Sequence, residues 1–277
     1  MVPYRESSLP PIVSNTYENG KGIIKCDSVI TYIRDYAFGD CTGLTSVFIN
    51  NSVINLGEGA FTGCTSLKKV LIGNSVTSIF EAAFRDCTSL TTITIPNSVT
   101  SINEKSFFGC SGLASLSVEA ENTVYDSRNN CNAIIYTMFN SLIRGCQNTI
   151  IPNDIEKIEN YAFDYCTGLT SIDIPNSVTS IGLYAFNYCT GLTNLSIGNS
   201  VTYIENYAFN YCTSLTSVTI PVSVTSIIDM AFANCTSLSS ISYTGTIAQW
   251  NDISKGTNWN FAVPATVVHC TDGDTPI

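Results

Sequence analysis

A β-rich α/β solenoid of stacked 23-residue units is the fold class this sequence predicts, and three observations predict it. The first is a beat of cysteines: Cys41, Cys64, Cys87 and Cys110, and then Cys166, Cys189, Cys212 and Cys235, each follow the last by 23 residues. A fixed period in the twenties marks coils that stack along one axis rather than a closed globular core. The second is an invariant apolar frame around the phenylalanines Phe38, Phe61, Phe84, Phe107, Phe163, Phe186, Phe209 and Phe232. The third is turn punctuation once per coil, at Asp27, Asn50, Gly73, Pro96, Pro152, Pro175, Gly198 and Pro221.

Within a coil the elements follow from spacing. After the Cys comes a leucine (Leu44, Leu67, Leu90, Leu113, Leu169, Leu192, Leu215, Leu238), then an apolar pair at alternate positions such as Val47 with Ile49 or Val218 with Ile220. Alternation with period two predicts a strand with one face turned inward. Beyond the turn residue, Val-Thr-Ser-Ile alternates again and predicts a shorter extended piece. The Gly-x-x-Ala-Phe-x-x-Cys segment is too short for more than a helical turn. Stacking sets like residues over one another about 5 Å apart, and no coil buries its own apolar face, so stability is collective.

The ends and the middle depart from the pattern. Residues 1–25 are expected to form an N-terminal arm and degenerate cap, with Ile24 and Cys26 at the inward positions of a first strand. Regular repeats are expected over 26–118 and 152–243. Between them, 119–151 form an irregular longer repeat, because the 56 residues from Cys110 to Cys166 exceed two coils by ten. There Ala133-Ile-Ile-Tyr136 and Ser141-Leu-Ile-Arg144 flank Met138-Phe-Asn as a hairpin, and Cys146, Thr149 and Ile151 return to register. Residues 244–277 are a C-terminal cap and tail. Thr246 is placed to cap a short helix carrying Ile247, Trp250 and Ile253, and Val268-His269-Cys270 has the pattern of a last strand. Trp250 and Trp259 are expected to cover the open end of the core, and Thr271 to Ile277 reads as a linker stub. All five segments belong to one solenoid domain.

Composition bounds function more than it defines it. Charged residues are 12% of the chain and apolar ones 44%, so Ser, Thr, Asn and Tyr must cover most of the surface. A net charge of −10 argues against nucleic acid or an anionic membrane as partner. No stretch approaches the roughly 18 apolar residues of a membrane span. The start lacks the basic and then apolar regions of a signal peptide, which leaves two readings: a cytosolic protein, or a fragment of a longer one from which a signal has been removed. Twelve cysteines include no Cys-x-x-Cys pair, and there is a single histidine, so no zinc cluster and no cofactor site is predicted. The cysteine column is expected to be a stack of free buried thiols whose parallel directions disfavour disulfides.

The full pattern, Cys-x-x-Leu-x-x-Val-x-Ile-Pro-x-x-Val-x-x-Ile-x-x-x-Ala-Phe-x-x-Cys, resembles the bacterial leucine-rich repeats of the BspA type over residues about 24 to 270. The odd unit Tyr125-Asp-Ser-Arg-Asn-Asn-Cys-Asn-Ala-Ile-Ile135 and the ending from Ala248-Gln-Trp to His269-Cys270 share in the resemblance. It implies a right-handed leucine-rich-repeat superhelix with parallel strands on the concave face. It also implies a cell-surface or secreted protein of host-associated bacteria, some members being adhesins for host matrix proteins. It supplies no catalytic residues and no fixed ligand motif.

Two surfaces stand out as candidate partner sites. On the strand face the outward columns are mostly Ser and Thr, and the exceptions Phe48, Lys69 and Leu71 form an apolar and basic spot; shielding of the first coils by the N-terminal arm is the competing reading. Off the strands, three consecutive units repeat Tyr161, Tyr184 and Tyr207 and again Tyr165, Tyr188 and Tyr211, building a tyrosine field. Tyrosine suits protein interfaces and sugar faces, although duplicated units also copy whatever they carried. Catalysis is not indicated. His269 has no nucleophile in its motif, Glu58, Glu81 and Glu104 face no common pocket, and Asp272-Gly-Asp274 cannot supply the 6 to 8 oxygens calcium takes. The sequence therefore predicts a monomeric, non-enzymatic interaction module that binds a protein. The alternatives are a glycan-binding module and a spacer carrying another domain.

Overall fold

The computed structural model describes the backbone of Ile12–Glu18 and Lys21–Cys26 and all residues from 29 to 277. The N-terminal arm before residue 12, the turn at Asp27 and the side chains of Ile24 and Cys26 lie outside the described residues. Two ladders of parallel strands run along the rod. The longer strands form three sheets: Ser46–Phe48 to Ser115–Val118, then Ser171–Asp173 with Asn194–Ser196, then Ser217–Ile220 to Val267–Cys270. Their register steps by one repeat, with Val47 opposite Val70 and Ile172 opposite Leu195. The second ladder consists of the two-residue strands predicted from Val-Thr-Ser-Ile, such as Ser78–Ile79 and Ser180–Ile181, again paired coil to coil. Both follow from one cause: a parallel strand can satisfy its N–H and C=O groups only on neighbours displaced by a full coil.

The core between the ladders is a set of columns. Neighbouring phenylalanines within each block stack with centroids 4.7 to 5.6 Å apart and planes within 12°, and from Phe61 onward they are buried. The cysteine column lies beside them. Six of its thiols donate to the phenylalanine carbonyl of the preceding coil, as Cys87 does to Phe61 at 3.2 Å and Cys189 to Phe163 at 3.2 Å, and Cys166, which follows the irregular repeat, donates to Gly145 instead. A small side chain with a weak donor serves both needs. All described cysteines are free thiols.

The segment expected to make a helical turn does something else. Its N–H groups at Ala162, Asp164 and Cys166 bond three residues back to Glu159, Tyr161 and Phe163, while those at Tyr161, Phe163 and Tyr165 cross to Leu183, Ala185 and Asn187 of the next coil. Alternate amides thus close turns and alternate amides join coils. The geometry requires a left-handed residue two before and two after most of the phenylalanines, for example Tyr161 at φ 60° and Tyr165 at φ 57°. The single α-helix among the described residues is the predicted one, Ile247–Asp252, capped by Thr246 with a reciprocal bond to Gln249.

In the irregular repeat, Ala133–Tyr136 and Ser141–Gly145 form the expected antiparallel hairpin, and the second strand pairs parallel with Lys157–Ile158. Cys146 and Ile151 are buried, but no strand forms from 146 to 156, and the sheet of longer strands is broken there. Two further expectations need correction. Lys21–Cys26 does not begin the parallel sheet but pairs antiparallel with Ile12–Glu18 in a sheet of its own. The stretch read as a linker stub contains a strand: Gly273–Pro276 folds back on Val267–Cys270 and covers the last edge. Trp250 and Trp259 close the core as expected, Trp259 meeting Phe232 edge-on at 6.3 Å.

Candidate functional site: the tyrosine ladders and the seam

The six predicted tyrosines come together as two ladders on the turn side of the rod. Tyr161, Tyr184 and Tyr207 stack, as do Tyr165, Tyr188 and Tyr211, with centroids 4.4 to 5.5 Å apart and planes within 11°. All are half-buried, and burial raises the phenol pKa of Tyr161, Tyr165, Tyr184 and Tyr188. Because the rings are parallel and in contact, their faces cover one another. Solvent meets ring edges and hydroxyls.

All six occupy left-handed backbone, with φ between 55° and 60°. Glycine adopts this conformation freely, and Gly59 and Gly63 hold the same two places in another coil. A non-glycine residue there costs about 1–2 kcal/mol, and a stacked ring pair returns about 0.5–1.5 kcal/mol. Stacking therefore does no more than offset the strain.

Beneath the ladders runs a buried amide chain that the sequence reading missed. Asn187 donates to Asp164 at 2.8 Å, Asn210 to Asn187 at 2.9 Å and Asn234 to Asn210 at 3.0 Å. Asp164 is fully buried, and its second carboxyl oxygen has no partner. Burial, the largest cause, pushes its pKa up to about 7, against the lowering effect of the Asn187 amide and Arg144.

Both ladders begin at the irregular repeat, which brings no Ala-Phe turn of its own. Gly145 and Arg144 stand in for the absent turn: Gly145 N–H donates to Ala162 at 2.8 Å and buried Arg144 to the carbonyl of Asp164 at 3.3 Å, two of the acceptors a regular turn would reach, and Arg144 also donates to Tyr161 at 3.0 Å. The missing turn leaves a cleft of about 390 Å³ lined by Glu81, Ala82, Arg85, Lys105 and Phe108 on one side and Tyr161, Tyr165, Tyr184 and Asn187 on the other. Phe108 meets Tyr165 at 5.4 Å and 53° and Tyr161 at 6.3 Å and 61°, so the rings splay instead of stacking. Arg85 lies 4.9 Å over the Phe108 ring and pairs with Asp86; Lys105 lies 5.5 Å over Tyr161 and pairs with Glu81.

The other predicted spot is also assembled. Phe48 is paired in register with Leu71 and Ser46 with Lys69 on adjacent strands, and Phe48 is 72% and Leu71 49% exposed. It lies on a different side of the coil from the tyrosines. Of the acids considered for catalysis, Glu58 bonds Tyr36, Glu81 pairs with Lys105 and Glu104 accepts from Asn160 at 3.4 Å, all at exposed positions. His269 pairs with Asp274 at 2.8 Å. Among the described residues no group of three or more His, Cys, Asp or Glu could hold a metal ion, and no helix is long and apolar enough to cross a membrane.

A rod of stacked strand-and-turn coils, with a leucine opening each strand, defines a leucine-rich-repeat protein. The profile of the BspA type leucine rich repeat region matches residues 14–134 and 132–254, in six copies, and the chain belongs to that family. No curated protein matches it. Among solved structures, a leucine rich cell surface protein from Faecalibacterium prausnitzii is 33% identical, with a TM-score of 0.62 over 80% of this chain and 65% of that one. The pneumococcal vaccine antigen PcpA is 20% identical, with a TM-score of 0.70 over 91% of this chain and 61% of that one. A leucine-rich repeat protein from Eubacterium ventriosum is 22% identical, with a TM-score of 0.51 over 90% and 86%. The last two share the fold. The chain spans less than two thirds of the length of the first two.

Proposed function

We propose that this chain is a non-enzymatic interaction module of a bacterial surface or secreted protein, adhesin-like in action, that binds a protein partner through its tyrosine ladders. The observation that carries the reading is six tyrosines held in left-handed backbone where glycine would be cheaper. Hydrogen bonds to the next coil impose this backbone on whatever residue fills the place, Asp86 and Met230 included, so it is the repeated choice of tyrosine there that is accounted for by contact with something else. Stacking bears on what that is. A sugar ring packs on an aromatic face, and inside the ladders the faces are taken; a protein surface can use rows of hydroxyls and ring edges. The cell-surface description of the Faecalibacterium prausnitzii structure supports display outside the cell. The lone exposed histidine and the scattered, paired carboxylates support the absence of catalysis.

The test is binding to a panel of purified host matrix proteins, by the whole chain and by a Tyr188→Asn/Tyr211→Asn variant. Asn is chosen because Asn234 already holds the next place in that column at φ 58°, so the coil keeps its shape. Saturable binding of a panel protein that weakens at least about tenfold in the variant, about 1.4 kcal/mol, is expected. Undiminished binding by the variant overturns the ladder as the contact surface.

A further inference from the structure

The tyrosine ladders end at the seam, and there the first rings lack a parallel neighbour on one side. We propose that the seam cleft is a binding site for an acidic saccharide, a pyranose carrying a carboxylate such as a hexuronic acid. Four features converge on that chemistry. The volume of about 390 Å³ falls in the roughly 300–1,000 Å³ range of small-ligand pockets. Phe108, Tyr161 and Tyr165 are splayed rather than stacked, and a ligand carboxylate that draws Arg85 off the Phe108 ring and Lys105 off the Tyr161 ring exposes apolar surface for the C–H face of a sugar ring, which the closed ladders above them cannot do.

Arg85 and Lys105 bring two of the chain's 12 basic residues to one cleft. Their own partners, Asp86 and Glu81, hold them in exposed ion pairs of the kind worth about 0–1 kcal/mol, so a ligand carboxylate can take them over at little cost. Arginine adds a two-point grip on a carboxylate. On the opposite wall the Asn187 amide lines the cleft, while Asp164, to which it donates, is fully buried behind the lining. A sugar hydroxyl, which donates and accepts, matches that amide. Glu81 and Asp86 disfavour a doubly charged phosphate ligand while leaving room for a single carboxylate among hydroxyl groups.

The experiment titrates the whole chain with digalacturonate and with neutral digalactose of the same linkage, followed by calorimetry and by saturation-transfer NMR. Digalacturonate is expected to bind at one saturable site, at least about tenfold tighter than digalactose, and to weaken several-fold as salt rises from about 50 to 500 mM. Arg85→Gln and Lys105→Gln, both at exposed side chains, should each weaken the acid about three- to tenfold and leave the neutral sugar unchanged, whereas Phe108→Leu weakens both. Circular dichroism of each variant checks that the rod is intact. No saturable binding of digalacturonate up to about 10 mM, equal affinity for both sugars, or full affinity in both charge variants overturns the proposal. Tyr188 and Tyr211 do not line the cleft, so this result and that of the matrix-protein panel fail independently.

Discussion

Asp164→Asn should change how stability depends on pH. Asp164 is fully buried, and burial lifts its carboxyl from 3.8 to about 7. Between these values the folded protein holds a proton that the unfolded chain has lost. Stability contributed by the protonated form is therefore complete below about pH 4, falls as pH rises from 4 to 7, and is level above that. A difference of about three units at 1.36 kcal/mol each gives a loss of about 4 kcal/mol. Asparagine has no proton to lose, and its amide oxygen still accepts from Asn187 at the head of the amide chain. Urea titrations from pH 4 to 8 should give midpoints that nearly coincide for the two proteins at pH 4 and diverge in favour of the variant by about 4 kcal/mol at pH 8. Repeat arrays can lose two-state behaviour, so the midpoint of the transition that includes the C-terminal coils is the quantity to compare. Parallel pH profiles with a constant offset would refute the assignment of a buried carboxyl titrating near neutrality.

Other positions test the packing. Phe186→Ala removes a fully buried ring stacked at 4.7 and 5.1 Å on its neighbours, and should cost about 3–5 kcal/mol by thermal or urea unfolding. Gly145→Ala builds a methyl into the Phe163 ring, and a loss of about 1–3 kcal/mol is expected in the same assay. Thiol titration at pH 8 checks the cysteine columns. Burial pushes Cys64 up to about 11 and Cys166 up to about 12, so among the described cysteines only the half-buried Cys41 and Cys270 should react in the native protein, and all 12 after denaturation.

The stack was legible because each coil repeats its solution: a β-branched pair, a turn residue and Ala-Phe at fixed spacing fix the strands and the core columns without any knowledge of the partner coil. The conformation of the Ala-Phe turns was not legible. Left-handed backbone is signalled by glycine or asparagine, yet Tyr161, Asp86 and Met230 adopt it here because hydrogen bonds to the next coil over-determine them. The C-terminal strand did have a turn signal in Asp272-Gly273, and the hairpin closes there on the two-residue loop Thr271-Asp272 with Gly273 opening the returning strand. Its acidic, turn-rich composition pointed to a linker instead. At the candidate site the ladders were readable from spacing alone. Arg85, Phe108 and Asp164 were not, since each looks ordinary within its own coil and they meet only because the intervening repeat lacks its turn. Aligning the residue after each phenylalanine, which gives Arg85 and Phe108 followed directly by Asp164 and Asn187, would have shown that a cation and an aromatic meet an acid and an amide there.

The same irregular repeat divides the protein energetically. Its hairpin is apolar on both faces, and period-two alternation sends them to different places. Ala133, Ile135 and Leu142 pack into the core that runs on to Val268, while Ile134, Tyr136 and Ile143 pack against the core that holds Ile49 to Leu116. A strand pair buried on both sides is a partition, and stability in such a rod is a sum of coil terms and interface terms. The weakest interface is the one where the phenylalanine column and the sheet of longer strands are both interrupted, between Phe107 and Phe163. Loss of cooperativity, if the rod unfolds in stages, should therefore fall at the hairpin, leaving one block folded while the other opens. The cleft straddles this boundary, with Arg85, Lys105 and Phe108 on one block and Tyr161, Tyr165 and Asn187 on the other. A ligand that touches both walls binds only when both blocks are folded, so its binding free energy adds to the interface term that the missing turn left weak.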